Sequence, residues 1–215
     1  MNAPPGSAKQ RRGGAVLLAC LPILLLGCTP GATTVPVAPK GGWVPLFDGK
    51  QMRQWAVLQG EATAEDGVIV INADGRRIST IAARTVHLRN GELELTVRRR
   101  AAAEPDAPYT IALRTTVLWR WSSIYFVCRP EYLDVCNGSC DDPFPREARR
   151  VPLAPADGAE VWRFVMDEGT IDCYRFGQKI VTYRDAGPCS GTIALTADRC
   201  ALEVLDVRYL PAAEE

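Results

Sequence analysis

From Trp43 onward, polar and apolar side chains alternate with a period of two residues. In residues 91–98 (GELELTVR), Leu93, Leu95 and Val97 fall on one side and Glu92, Glu94 and Thr96 on the other, as in a strand with one buried face. Residues 160–185 read as three strands parted at Glu168-Gly169 and Gly177-Gln178, where a backbone with positive φ costs least. The segments GVIVIN, ISTIA, YTIALRTTVL, IYFVC, GTIALT and ALEVLDVRYL add further strands, and no uninterrupted window carries a helical period of ordinary length. Many short strands at turn-punctuated intervals predict an all-β fold: two antiparallel sheets packed face to face as a sandwich or jelly roll. Residues 128–159, rich in Pro, Cys, Asp and Gly, break the pattern and predict a long irregular connection.

The pattern is different before Trp43. Lys9, Arg11 and Arg12 precede fifteen uncharged residues, 13–27, which end in LLGC at residues 25–28. A basic start, a short apolar stretch and a small residue before a cysteine make a secretory signal of the lipoprotein type, with Cys28 as the acylated residue. Fifteen residues interrupted by Pro22 fall short of the roughly 20 that a membrane-spanning helix needs. The predicted organisation is a signal peptide (1–27), a lipidated cysteine and flexible Pro/Gly/Thr-rich tether (28–42), a β domain (43–210) and a short tail (211–215). The location this predicts is a bacterial cell envelope, and Thr29 after the cysteine favours the outer membrane.

Charge and cysteine content refine this picture. The chain has 25 basic and 25 acidic residues, and losing Lys9, Arg11 and Arg12 with the signal leaves a formal net charge of −3. So balanced a surface gives no electrostatic footprint for nucleic acid. Six cysteines follow Cys28, namely Cys128, Cys136, Cys140, Cys173, Cys189 and Cys200, an even number that outside the cytoplasm predicts up to three disulfides in any of fifteen pairings. Zinc is disfavoured, because the gaps in CRPEYLDVCNGSC contain no Cys-x-x-Cys pair and His87 is the only histidine. Calcium would have hard oxygens in Asp134, Asn137, Asp141 and Asp142, without the spacing of a known loop, and no cofactor is expected.

Four blocks of the chain resemble, in order, the 3-keto-disaccharide hydrolase family: WVPLFDGKQMRQW (43–55), LRNGELELTVRRR (88–100), AEVWRFVMDEGTIDCYRFGQKIVTY (159–183) and GTIALTADRCALEVLDVRYL (191–210). They span nearly the whole domain. The resemblance implies a concanavalin-like jelly roll that holds or cleaves sugars. The family's glycine-rich strand and the acidic strand after it have no intact counterpart in residues 109–140, where Glu131 and Asp134 are the nearest echo.

A sugar on such a fold lies across the concave sheet, its C–H faces on aromatic rings and its hydroxyls gripped by polar groups. In VLWRWSSIYF, alternation puts Trp119, Trp121 and Tyr125 on one face as a stacking platform, flanked by Arg114 or Arg120. The competing reading makes the same indoles core. Glycosidic cleavage needs two carboxyl groups, for which Glu131 and Asp134, with Asp141 or Asp142, are the candidates. The expected function is carbohydrate recognition by a membrane-anchored lipoprotein with weakened catalytic motifs; the alternatives are an active glycoside hydrolase and a structural or partner-binding envelope protein.

Overall fold

Leu93, Leu95 and Val97 are all fully buried, and the strand they predict runs from Gly91 to Arg99. The computed structural model describes residues 42–73, 78–84, 86–100, 104, 106–116, 123–138, 149–184 and 190–212. The proposed signal peptide, Cys28 and most of the tether lie outside these. In chain order the strands are β1 (Val44–Pro45), β2 (Trp55–Gln59), β3 (Glu61–Glu65), β4 (Val68–Asn72), β5 (Ile78–Ala83), β6 (Gly91–Arg99), β7 (Tyr109–Thr115) and β8 (Ser123–Cys128). They continue as β9 (Tyr132–Gly138), β10 (Arg149–Pro152), β11 (Ala159–Asp167), β12 (Thr170–Arg175), β13 (Gln178–Arg184), β14 (Thr192–Asp198) and β15 (Ala201–Pro211). The helical content of the described residues is one 3-10 turn, Met52–Gln54.

The strands form two antiparallel sheets. One has the order β13-β12-β11-β6-β15-β4-β3, with β1 also paired to β15; the other has the order β10-β9-β8-β7-β14-β5-β2. Between them lies one core, in which Trp55, Ile81, Leu95, Ile111, Phe126, Trp162, Phe164, Ile193 and Leu195 are buried. Two hairpins turn through paired left-handed residues, Asp66-Gly67 (φ 47 and 84) and Phe176-Gly177 (φ 51 and 76). The second turn therefore lies one residue before the Gly177-Gln178 predicted by the pattern. A two-residue turn that follows the twist of its strands needs positive φ at both positions, and Gly177 serves as the second of them.

The opening motif is structural. Leu46 and Phe47 enter the core, Trp55 Nε1 donates to the Leu46 carbonyl (2.8 Å), and Asp48 Oδ1 accepts from the backbone N–H groups of Lys50 (2.8 Å) and Gln51 (2.9 Å). The Gln51 and Lys50 amides hold the Asp48 carboxyl below its usual pKa.

The four described cysteines do not form the predicted staples: Cys128, Cys136, Cys173 and Cys200 are free thiols. Cys128, Cys173 and Cys200 are buried thiols in the inter-sheet core. Cys128 and Cys173 occupy inward positions of β8 and β12, so they pack as small apolar side chains. Burial pushes all three thiols up, which suppresses the reactive thiolate. Cys136 is buried on the opposite side of the seven-stranded sheet, and Cys140 and Cys189 lie outside the described residues.

The outer face of the eight-stranded sheet is laced with ion pairs: Arg98 and Arg100 on Glu203, Arg163 on Glu92, Arg208 on Glu94, and Lys179 on Asp172. Burial works to raise Glu203, but its two guanidinium partners outweigh it and hold the carboxyl below the ordinary range. A face that satisfies its own charges so fully has little left to offer a ligand.

Candidate functional site

The outer face of the seven-stranded sheet has a different character. Register aligns Ala56, Ala82, Ala194, Ala112, Tyr125 and Cys136 in one row across β2, β5, β14, β7, β8 and β9. The neighbouring row, two residues along the strands and about 7 Å away, holds Gln59, Thr80, Thr196, Thr110, Val127, Asp134 and Arg150. The row is low over β2, β5, β14 and β7, where methyl groups are all that rises from it. The threonine row beside it is taller and carries hydroxyls, of which Thr80 and Thr196 share a hydrogen bond of 3.1 Å. The two rows run side by side across the strands as a trench in which Ala82, Ala112, Ala194, Tyr125 and Cys136 are buried, while Thr110 and Thr196 beside them are half-buried.

The strands build this trench by parity. In β5, β7 and β14 the tripeptide Thr-Ile-Ala recurs at residues 80–82, 110–112 and 192–194, with Ile81, Ile111 and Ile193 in the inter-sheet core and Ala82, Ala112 and Ala194 on the other side. Ala82, Ala112, Tyr125, Val127, Cys136 and Ala194 form a second, smaller apolar cluster, against which Leu58 packs.

At the β9–β10 end, Arg150 grips Asp134 through Nε (2.8 Å) and Nη2 (3.2 Å), and its guanidinium lies 4.0 Å from the Tyr132 ring centroid. Both Asp134 oxygens are thereby occupied. Glu131 is exposed in the turn before β9, and its carbonyl accepts from the Leu153 amide at 2.8 Å. The two acids picked out by sequence thus differ in setting: one is part of the polar row and the other is outside it.

Tyr125 takes its place on the outer face, whereas Ile124 and Phe126 face the core, as alternation predicted. Trp119, Arg120, Trp121, Asp141 and Asp142 lie outside the described residues. Arg114 has another role. Its backbone is left-handed (φ 53), its side chain is 1% exposed, and it donates to the carbonyls of Arg89 (2.9 Å) and Glu168 (3.1 Å). It ties β7 to the segment before β6 and to the β11–β12 turn. Gly191 packs so closely here that a Cβ would lie 2.3 Å from the Arg114 carbonyl carbon. Among the described residues no group of three or more His, Cys, Asp or Glu side chains could hold a metal ion.

No protein-family model and no curated protein matches the sequence. Solved structures do resemble the fold. The carbohydrate recognition domain of Emp46p in metal-free form aligns with a TM-score of 0.61 at 11% identity, over 84% of this chain and 94% of that one. The Crh5 transglycosylase in complex with NAG gives 0.59 at 14%, over 80% and 84%. The carbohydrate binding module CBM66 from Bacillus subtilis gives 0.56 at 10%, over 73% and 95%. At such identities the likeness shows the fold: two antiparallel sheets in the jelly-roll arrangement shared by carbohydrate-binding and glycosyl-hydrolase-like domains.

Proposed function

We propose that this chain is a lipid-anchored envelope protein whose jelly-roll domain recognises carbohydrate along the trench of the seven-stranded sheet, on a scaffold akin to the 3-keto-disaccharide hydrolases. The observation that carries this reading is the pairing of the alanine row with the threonine row. A pyranose ring has an apolar C–H face and a rim of hydroxyls. The half-buried Thr110 and Thr196 hydroxyls suit the rim, with the buried methyls and the Tyr125 ring as an apolar floor beneath. The jelly-roll neighbours, two of which carry carbohydrate recognition or binding in their names, support the same ligand class.

Recognition is favoured over cleavage. Acid–base hydrolysis needs one carboxyl group to deliver a proton and a second to act on the opposite side of the bond. Asp134 has its two oxygens committed to Arg150, and Glu131 stands outside the row.

The test is a glycan array read with the full-length chain, followed by titration of the best ligand. Replacing Thr110 and Thr196 together by Val removes two hydroxyls at nearly constant shape and should weaken binding several-fold, at about 0.5–1.5 kcal/mol per hydrogen bond. Trp119→Ala and Trp121→Ala should each cost roughly three- to ten-fold through lost stacking. An array without a single positive glycan, or full affinity in all these variants, sinks the reading; product released from 3-keto-glucosides would move the protein to the hydrolases.

Anchoring has its own test. Multiple acyl chains on Cys28, at about 0.8 kcal/mol per buried methylene, would make release slow. Cys28→Ser should leave a precursor of full length that takes up no radiolabelled palmitate, and a labelled product of mature size from that variant would refute the assignment.

A further inference from the structure

The alanine row ends at Cys136, and Cys136 also lines a cleft of about 720 Å³ between the free edges of the two sheets. On the seven-stranded side the cleft is walled by Asn137 and Arg149, and on the β13 side by Thr182, Tyr183 and Arg184. Arg149 reaches across the mouth, donating from Nη1 to the Thr182 carbonyl at 3.3 Å. Several guanidiniums of the domain are neutralised by carboxylates: Arg98, Arg100, Arg150, Arg163, Arg175, Arg199 and Arg208 each pair with an acid. Arg149 and Arg184, like Arg53 and Arg89, have no such partner among the described residues; what sets the two apart is that both are exposed on one cleft.

We infer that this cleft is an anionic subsite at the end of the trench, and that the glycan bound there carries a carboxylate or sulfate group which sits on Arg149 and Arg184. The inference rests on the trench reading and names the class of sugar. The chemistry follows from the lining. Two guanidiniums supply planar, fixed N–H donors that match the oxygens of a carboxylate or sulfate, and charge-assisted hydrogen bonds are about twice as strong as neutral ones. Tyr183 offers an aromatic flank, and the Asn137 amide offers donor and acceptor for a neighbouring hydroxyl. A neutral glycan would leave both guanidiniums to water. An acidic one gains where the trench opens, so the site selects by charge at one end and by shape along its length.

The experiment titrates the full-length chain with matched pairs of tetrasaccharides, each uronate against its own methyl ester, for galacturonate and mannuronate backbones, together with a sulfated chondroitin tetrasaccharide. The acid form should bind at least about ten-fold more tightly than its ester, a gap that added salt narrows. In the Arg149→Gln/Arg184→Gln double variant the gap should close, because the acid form loses its charge-assisted bonds and so loses far more than the ester. Both positions are exposed, so melting should hardly move, and Arg184→Glu alone should reverse the preference. Tighter binding of the sulfated sugar than of any uronate identifies sulfate as the anionic group and supports the subsite equally. Equal affinity for acid and ester, or a preference that survives the double variant, overturns the subsite and leaves the trench standing. Binding of no glycan, charged or neutral, overturns the trench reading and the subsite with it.

Discussion

Glu160→Ala is expected to destabilise the domain by about 3–5 kcal/mol, the range for stranding one partner of a buried ion pair. Glu160 lies on the inward side of β11 with Trp162, Phe164 and Met166, and is 8% exposed. Arg175, 5% exposed, donates to its Oε2 from Nε (2.9 Å) and Nη2 (2.9 Å), and from Nη1 to the Ala154 carbonyl (2.6 Å). Removing the carboxylate leaves the guanidinium with one backbone acceptor in a site from which water is largely excluded. Burial drives the Tyr109 hydroxyl well above the ordinary tyrosine pKa, and the nearby Cys128 and Glu160 add to the shift, so that hydroxyl stays neutral and cannot take the place of the missing charge.

The same physics predicts the rescue. A buried pair gains little over well-packed apolar groups, because desolvation offsets most of its Coulomb attraction. Glu160→Leu combined with Arg175→Met should recover most of what either single change loses. Denaturant unfolding at constant m-value measures both, and a melting drop of roughly 10 °C should accompany the single variants in a domain of this size. A loss below about 1 kcal/mol for Glu160→Ala would show that the pair is solvated after all.

How much of this was legible in the chain depends on the range of the cause. Strand parity is local, so Leu93, Leu95 and Val97, or Ile124 and Phe126 against Tyr125, could be assigned from alternation alone. The hairpin at Phe176-Gly177 was missed by one residue because glycine marks a turn without saying which of its two central positions it fills. Arg114 looked like a ligand-binding side chain. Positive φ at a non-glycine residue leaves little sequence signal, and it is this conformation, where the β7–β14 register shifts, that accompanies the burial of its guanidinium. The cysteine reading relied on an even count, while position decided the matter: Cys128 and Cys173 stand at inward parity, among the core side chains. The trench has a signal that is plain once seen, the threefold Thr-Ile-Ala. What turns the alanines of three scattered tripeptides into one row, with Thr196 and not Thr192 beside Thr80 and Thr110, is the register of β5, β14 and β7, set by pairing between segments far apart in the chain.

Trp162→Ala should cost as much as Glu160→Ala, for a different reason. The indole is fully buried, stacked on Phe164 (6.4 Å between centroids, 12° between planes), with the Arg175 guanidinium 5.5 Å from its ring. Truncation to Ala empties a space between the sheets that Phe126, Phe164 and Tyr109 cannot close without leaving their rotamers, and large aromatic truncations of this kind cost about 3–5 kcal/mol. Trp162→Phe separates packing from hydrogen bonding. It keeps most of the ring and removes the Nε1 donor that reaches the Tyr109 hydroxyl at 2.8 Å, so its cost should include about 1–3 kcal/mol for a buried oxygen left short of a partner. In the background of Tyr109→Phe that component has nothing to act on, and Trp162→Phe should become markedly cheaper. The double-mutant cycle therefore predicts a coupling of at least about 1 kcal/mol between the two side chains. Because Arg175 contacts both Glu160 and the indole, Trp162→Ala and Glu160→Ala should also combine to less than their sum; strict additivity in either cycle would mean that the ion pair, the tyrosine and the tryptophan act separately and do not form one buried network.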